Sequence, residues 1–140
     1  MTEIQKPYCL AMVLCDAVHR DAATGKFTLL GTFNRLHSAT WPCQSRFCVY
    51  FCVTDAIGTI PIGLRFIDSD ALLSDDDIKP IAEFTGEIQF PDPLAVVEGV
   101  LGIEVQFPKA GMYHCELFAG DEVLLSRRLA VMPPPGETDE

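Results

Sequence analysis

The 140-residue chain contains no Cys-x-x-Cys pair, no glycine-rich phosphate loop and no Gly-x-Ser-x-Gly elbow. The usual sequence signatures of zinc ribbons, nucleotide binders and α/β-hydrolases are therefore missing. No apolar run approaches the ~20 residues that a membrane-spanning helix needs. Basic residues are few. Ten Lys and Arg stand against twenty Asp and Glu, and only Arg127 and Arg128 are adjacent. With a net charge of -10 and no basic stripe, nucleic acid and anionic membrane are poor partners. Histidine occurs only as His19, His37 and His114. On an extended strand His114 and its neighbour Cys115 point to opposite faces, so they do not form a nucleophilic pair. No catalytic constellation emerges, and no enzyme activity or cofactor is expected.

Cysteine is not scarce. Cys9, Cys15, Cys43, Cys48, Cys52 and Cys115 would suggest bridges in a secreted chain. The opening stretch MTEIQKPYCLAMVLCDAVHR is a poor signal peptide. Its apolar part is short, an acidic residue precedes it, and no small-residue cleavage site follows. It reads instead as a first strand, which implies a cytoplasmic protein with reduced, buried thiols. Cys48 and Cys52 share a strand face but are too far apart to bind one metal without a bend.

Extended pattern is abundant. Residues 105–131 read as two antiparallel strands, entered through a Pro108-Lys109-Ala110-Gly111 corner and joined by a turn at Gly120-Asp121. The apolar face of the return strand, Val123, Leu125, Leu129 and Val131, is interrupted by Arg127, which needs a partner or an opening to water. Upstream, residues 8–20 form a strand that turns at Thr24-Gly25 into a second run over 26–36. A helix over 8–20 is the competing reading, and the turn followed by a β-rich run favours the hairpin. A loop with Trp41-Pro42 follows, then strands over 46–55, 60–66, 80–90 and 97–107. Pro61 suggests an edge or a strand start. About eight strands and no helix give an all-β fold: one antiparallel sandwich over residues 1–132, with a closed barrel as the alternative. Residues 133–140 form a proline-rich acidic tail expected to be mobile.

Two features suggest function. The opening strands carry apolar residues on both faces, with Tyr8, Leu10, Met12 and Leu14 on one side of the first. A sandwich strand in a monomer needs only one apolar face. Cover from a second copy is expected, through Leu10, Met12, Leu14, Leu30 and Tyr50, with a protein partner as a further possibility. The bland readings are cover by the chain's own loops, or scattered surface apolars. The second feature is the acidic run Asp68, Asp70, Asp75, Asp76 and Asp77. The alternative function is thus a small-ligand or calcium-binding module using loops at the sandwich end: clustered carboxylates can bind Ca²⁺, but the spacing is not that of the twelve-residue calcium loop, and such runs usually mark a solvated loop.

Gly111-Met112-Tyr113-His114-Cys115 resembles the tyrosine corner of immunoglobulin-like sandwiches, with a Tyr two residues before a Cys. The resemblance implies that the Tyr113 phenol bonds back to the main chain near the corner. It does not bring a disulfide, since Trp41 lies in an expected loop. Taken together, Val13-Leu14-Cys15-Asp16, Thr24-Gly25-Lys26, Leu30-Gly31-Thr32-Phe33, Phe47-Cys48-Val49-Tyr50 and the ending stretch resemble a bacterial family of small, uncharacterised β-sandwich proteins. That resemblance implies a fold and no activity.

Overall fold

This computed structural model describes residues 6–73 and 79–135. Nine strands follow in order: β1 Tyr8–Arg20, β2 Phe27–Thr32, β3 Arg35–His37, β4 Cys43–Thr54, β5 Gly58–Asp68, β6 Ala82–Phe90, β7 Val97–Phe107, β8 Gly111–Ala119 and β9 Glu122–Met132. A short 3-10 turn, Ser69–Leu73, follows β5. The strands form a four-stranded sheet, β2-β1-β4-β7, and a five-stranded sheet, β3-β9-β8-β5-β6. This is the expected all-β sandwich, and with two separate sheets it is not a closed barrel.

The 26–36 run differs from expectation. It is two strands, because the chain crosses from one sheet to the other at Phe33 and Asn34. β2 pairs antiparallel with β1, whereas β3 pairs parallel with β9 over Arg35–His37. The sandwich is therefore antiparallel except for that three-rung pair. Proline at 61 lies where β5 has β6 on one side only, since β8 joins β5 at Gly63. A missing N–H costs least there.

Alternating residues from both sheets fill the core. Phe47, Val49, Phe51 and Val53 of β4 face Leu64, Phe66, Tyr113, Cys115 and Leu117 of β5 and β8, all buried. A run of tilted and edge-on rings crosses this core: Phe33 to Phe47 at 5.4 Å, Phe47 to Phe66 at 5.9 Å, Phe66 to Phe107 at 6.2 Å and Phe107 to Tyr113 at 5.0 Å. Edge-to-face contacts of this kind add roughly 0.5–1.5 kcal/mol each to the burial of the rings.

The phase of β1 also differs. A bulge between Cys9 and Ala11 breaks the pairing with β4. Tyr8 and Leu10 end up outside, while Met12 and Leu14 turn into the core at 0% and 3% exposure. An extra residue at a bulge reverses the alternation beyond it. A second bulge, at Leu117/Phe118 against β9, moves Val123 to the surface.

Candidate functional site

Because Phe47, Val49, Phe51 and Val53 point inward, Cys48, Tyr50, Cys52 and Thr54 must point out of the four-stranded sheet. Register then builds an outer face around them. Val13 and Val100 flank Tyr50, Cys15 and Gly102 flank Cys48, and Ala11 and Glu98 flank Cys52. Glu98 brings a charge into this apolar area, and its carboxylate accepts the Tyr50 hydroxyl. Burial, reinforced by that bond, pushes the Tyr50 phenol well above its ordinary value. At the head of the sheet Tyr8 lies opposite Thr54. The Thr54 hydroxyl donates to Ala95 O at 2.7 Å, and Asp55 N donates to Pro93 O at 3.2 Å. These bonds draw the 55–57 and 91–96 loops together. Around this end the chain exposes Tyr8 (62%), Leu10 (51%), Val96 (55%) and Val100 (36%), with Ile57 and Leu94 on the loops.

The other end of the face has a cover. By register Phe27 lies opposite Arg20 and Tyr50 opposite Val13, seven residues apart along β1. A straight strand would separate them by roughly 23 Å. Their ring centroids are 5.8 Å apart. The second half of β1 with β2 is thus an arm bent back over the outer face. Its inner side carries the half-buried Val18, Phe27 and Leu29, and its outer side the exposed Ala17, Thr28 and Leu30. The bend lies at Asp16 and Gly31. Gly31 has φ +69°, and a Cβ there would come within 2.4 Å of Asp16 Oδ2. Cys15, at the root of the arm, is fully buried.

The residues expected to mediate self-association therefore divide. Leu10 and Leu30 are exposed, and Tyr50 is half-buried on the outer face under Phe27. Met12 and Leu14 are core residues of the single chain and cannot be part of an outer surface, because of the bulge.

The acidic corner is occupied by an ammonium group. Lys109 Nζ lies 3.4 Å from Asp68 Oδ2 and 3.4 Å from Asp70 Oδ2. The hydrogen bond to Asp70 and the charge of Asp68 hold the lysine above its ordinary pKa. A calcium ion drawn to these two carboxylates would meet a resident cation. Asp75, Asp76 and Asp77 lie outside the described residues, as does the tail beyond Pro135. Among the described residues no group of three or more His, Cys, Asp or Glu is placed to hold a metal ion.

The corner before β8 has the expected geometry. The Tyr113 hydroxyl donates to Lys109 O at 2.6 Å, and Gly111 has φ +155°. Cys115 faces the core, where burial pushes its thiol up to about 12. His114 faces outward with Nδ1 3.4 Å from Ser126 Oγ. All six cysteines are free thiols. Cys15 and Cys48 lie directly opposite each other. Met12 O and Leu14 O point to the side away from β4, taken by Arg127 and by Phe33 N. Cys15, one residue on, therefore turns its main-chain groups toward β4, making Cys15 and Cys48 a hydrogen-bonded rung. Such rungs set Cβ atoms about 5.5 Å apart, beyond the ~3.5–4.5 Å of a disulfide.

Sequence reasoning identified Arg127 as needing a partner but not which one. Its Nη1 donates to Met12 O at 3.0 Å, across from the five-stranded sheet to the four-stranded one. Only the facing of the two sheets brings these residues, 115 positions apart, together.

The model of a family of unknown function, DUF6941, matches residues 10–132. The chain belongs to that family. No curated protein matches it. The DUF6941 region begins at the bulge residue Leu10 and ends with Met132, the last residue of β9. It spans all of the sandwich but the first two residues of β1. Among the described residues no helix is long and apolar enough to cross a membrane.

Proposed function

We propose that this DUF6941 sandwich is a non-enzymatic cytoplasmic protein that works by association, with a second copy seated on the outer face of its four-stranded sheet. One observation carries the reading. Tyr8, Leu10, Val96 and Val100 are exposed on one sheet face, around Glu98 whose carboxylate is bonded by Tyr50, while the arm covers the far end of that face. Exposed apolar side chains grouped on one sheet face suit an interface better than scattered ones do. A two-fold contact uses the same patch on both subunits, so apolar side chains on this face would meet their own copies in a chain whose net charge of -10 otherwise repels them. The main-chain bond of Tyr113 supports reading the sandwich as immunoglobulin-like.

Sedimentation equilibrium tests the proposal. The expected result is a dimer that strengthens as added salt screens the like charges. Leu10→Glu with Val96→Glu is expected to return it to monomer without loss of fold, because both side chains are exposed. A strict monomer at millimolar concentration and high salt, or an unchanged dimer in the double variant, overturns it.

A further inference from the structure

Arg127 sits on the inward face of β9, opposite Cys115 and in line with Leu125 and Leu129. Its guanidinium reaches the seam where β1 and β9 approach each other. Both strands are open on that side. β1 meets β2 only from Cys15 onward, and β9 meets β3 only from Ala130 onward. Beside the guanidinium lies a groove of about 440 Å³, lined by Val13, Leu29, Thr32, Phe33, Asn34 and Arg127. Its floor is fixed to both sheets. Phe33 N donates to Leu14 O at 3.0 Å, and Ala130 N donates to Asn34 O at 3.1 Å.

The charge of Arg127 is not neutralised within the chain. Lys6, Arg46, Arg65 and Lys109 each lie within 4 Å of a carboxylate. Among the described residues Arg127, like Arg20, Lys26, Arg35, Lys79 and Arg128, has no such partner, and at this open edge it is exposed to solvent. A guanidinium has five N–H donors in a rigid plane, and the Met12 carbonyl takes one of them. The remaining edge is a fork whose geometry fits a carboxylate. Half-buried apolar side chains, a hydroxyl, an amide and a cation held at one N–H line this open surface groove, whose volume lies within the usual range for small ligands.

We propose that this groove binds a small organic acid, its carboxylate on the free edge of Arg127 and its short apolar body against Val13, Leu29 and Phe33. The site does not depend on association through the outer face, and its loss leaves that reading standing.

Labelled protein is titrated with hexanoate and, separately, with hexanol, following the Arg127 Nε–H and the methyl groups of Val13 and Leu29 by NMR. Saturable shifts confined to the groove are expected with hexanoate, with hexanol at least tenfold weaker. Arg127→Gln is expected to lose hexanoate binding at least tenfold, and Arg127→Lys, which keeps the charge but not the fork, to lose part of it. The comparison of acid with alcohol on the unaltered protein decides the matter even where Arg127→Gln disturbs the seam. Absence of a saturable shift, equal binding of hexanol, or full hexanoate binding by a folded Arg127→Gln overturns the proposal.

Discussion

The ring of Phe27 rests 5.8 Å from that of Tyr50, although β1 would carry the two far apart if it ran straight. The contact makes the β1–β2 arm a cover for part of the sheet's outer face. It adds to the burial that, with the bond to Glu98, raises the Tyr50 pKa.

Removing that ring should separate cover from sheet. Phe27→Ala is expected to cost about 1–2 kcal/mol in urea unfolding, from lost apolar burial and the lost ring pair. It should also lower the Tyr50 pKa, read by ultraviolet titration against a Tyr50→Phe control. An unchanged titration would mean that the arm does not bury the phenol.

The outer end of the Phe51 ring sits over Gly99, its partner on β7. A Cβ at Gly99 would meet the ring at 2.4 Å. Gly99→Ala should therefore destabilise the protein by about 1–3 kcal/mol, the usual cost of overpacking a core. Phe51→Leu combined with Gly99→Ala should cost less than the sum of the two single changes, because both act on one contact. Urea midpoints of the four proteins test this.

Tyr113 is fully buried and its hydroxyl closes the corner on Lys109 O. Tyr113→Phe keeps the ring and removes the donor. The expected loss is about 1–2 kcal/mol, since the carbonyl at the corner loses its partner. A change below the precision of chemical denaturation would show that water replaces the phenol at no cost.

Alkali should unfold the protein. The Cys115 thiol has its pKa raised from 9.0 to about 12 by burial. Between those values the unfolded chain has released a proton that the folded chain keeps. Stability is then complete below about pH 9 and falls as pH rises, by roughly 1.4 kcal/mol per unit for one such group. Tyr50 and Tyr113, also raised by burial, act in the same direction. Unfolding free energies measured across this range should slope downward, and the slope should be shallower in Cys115→Ala.

The strands were legible because their alternation is long and regular. β6 shows it best, with Phe84, Ile88 and Phe90 turned in and Glu83, Glu87 and Gln89 turned out. The tyrosine corner was legible because its bond spans four residues. The phase of β1 was not legible. A bulge inserts one residue without any mark in composition, and it moved Met12 and Leu14 from the surface to the core. The division of the 26–36 run had only one local mark, Asn34, a residue type depleted in strands, beside the strand-like Phe33. The partner of Arg127 depends on how two sheets face each other, which no local pattern encodes. The apolar residues on both sides of the early strands proved half self-sheltered, by the arm that those same residues build.

The crossover between β2 and β3 has a mechanical consequence. Only Phe33 and Asn34 join an arm attached to one layer to a strand sewn into the other, and both have their main chain tied, to Leu14 and to Ala130. That leaves almost no slack. Lifting the arm should therefore tug on the three-rung parallel pair, so amide protons of β2 and of β3 should exchange with one shared opening energy.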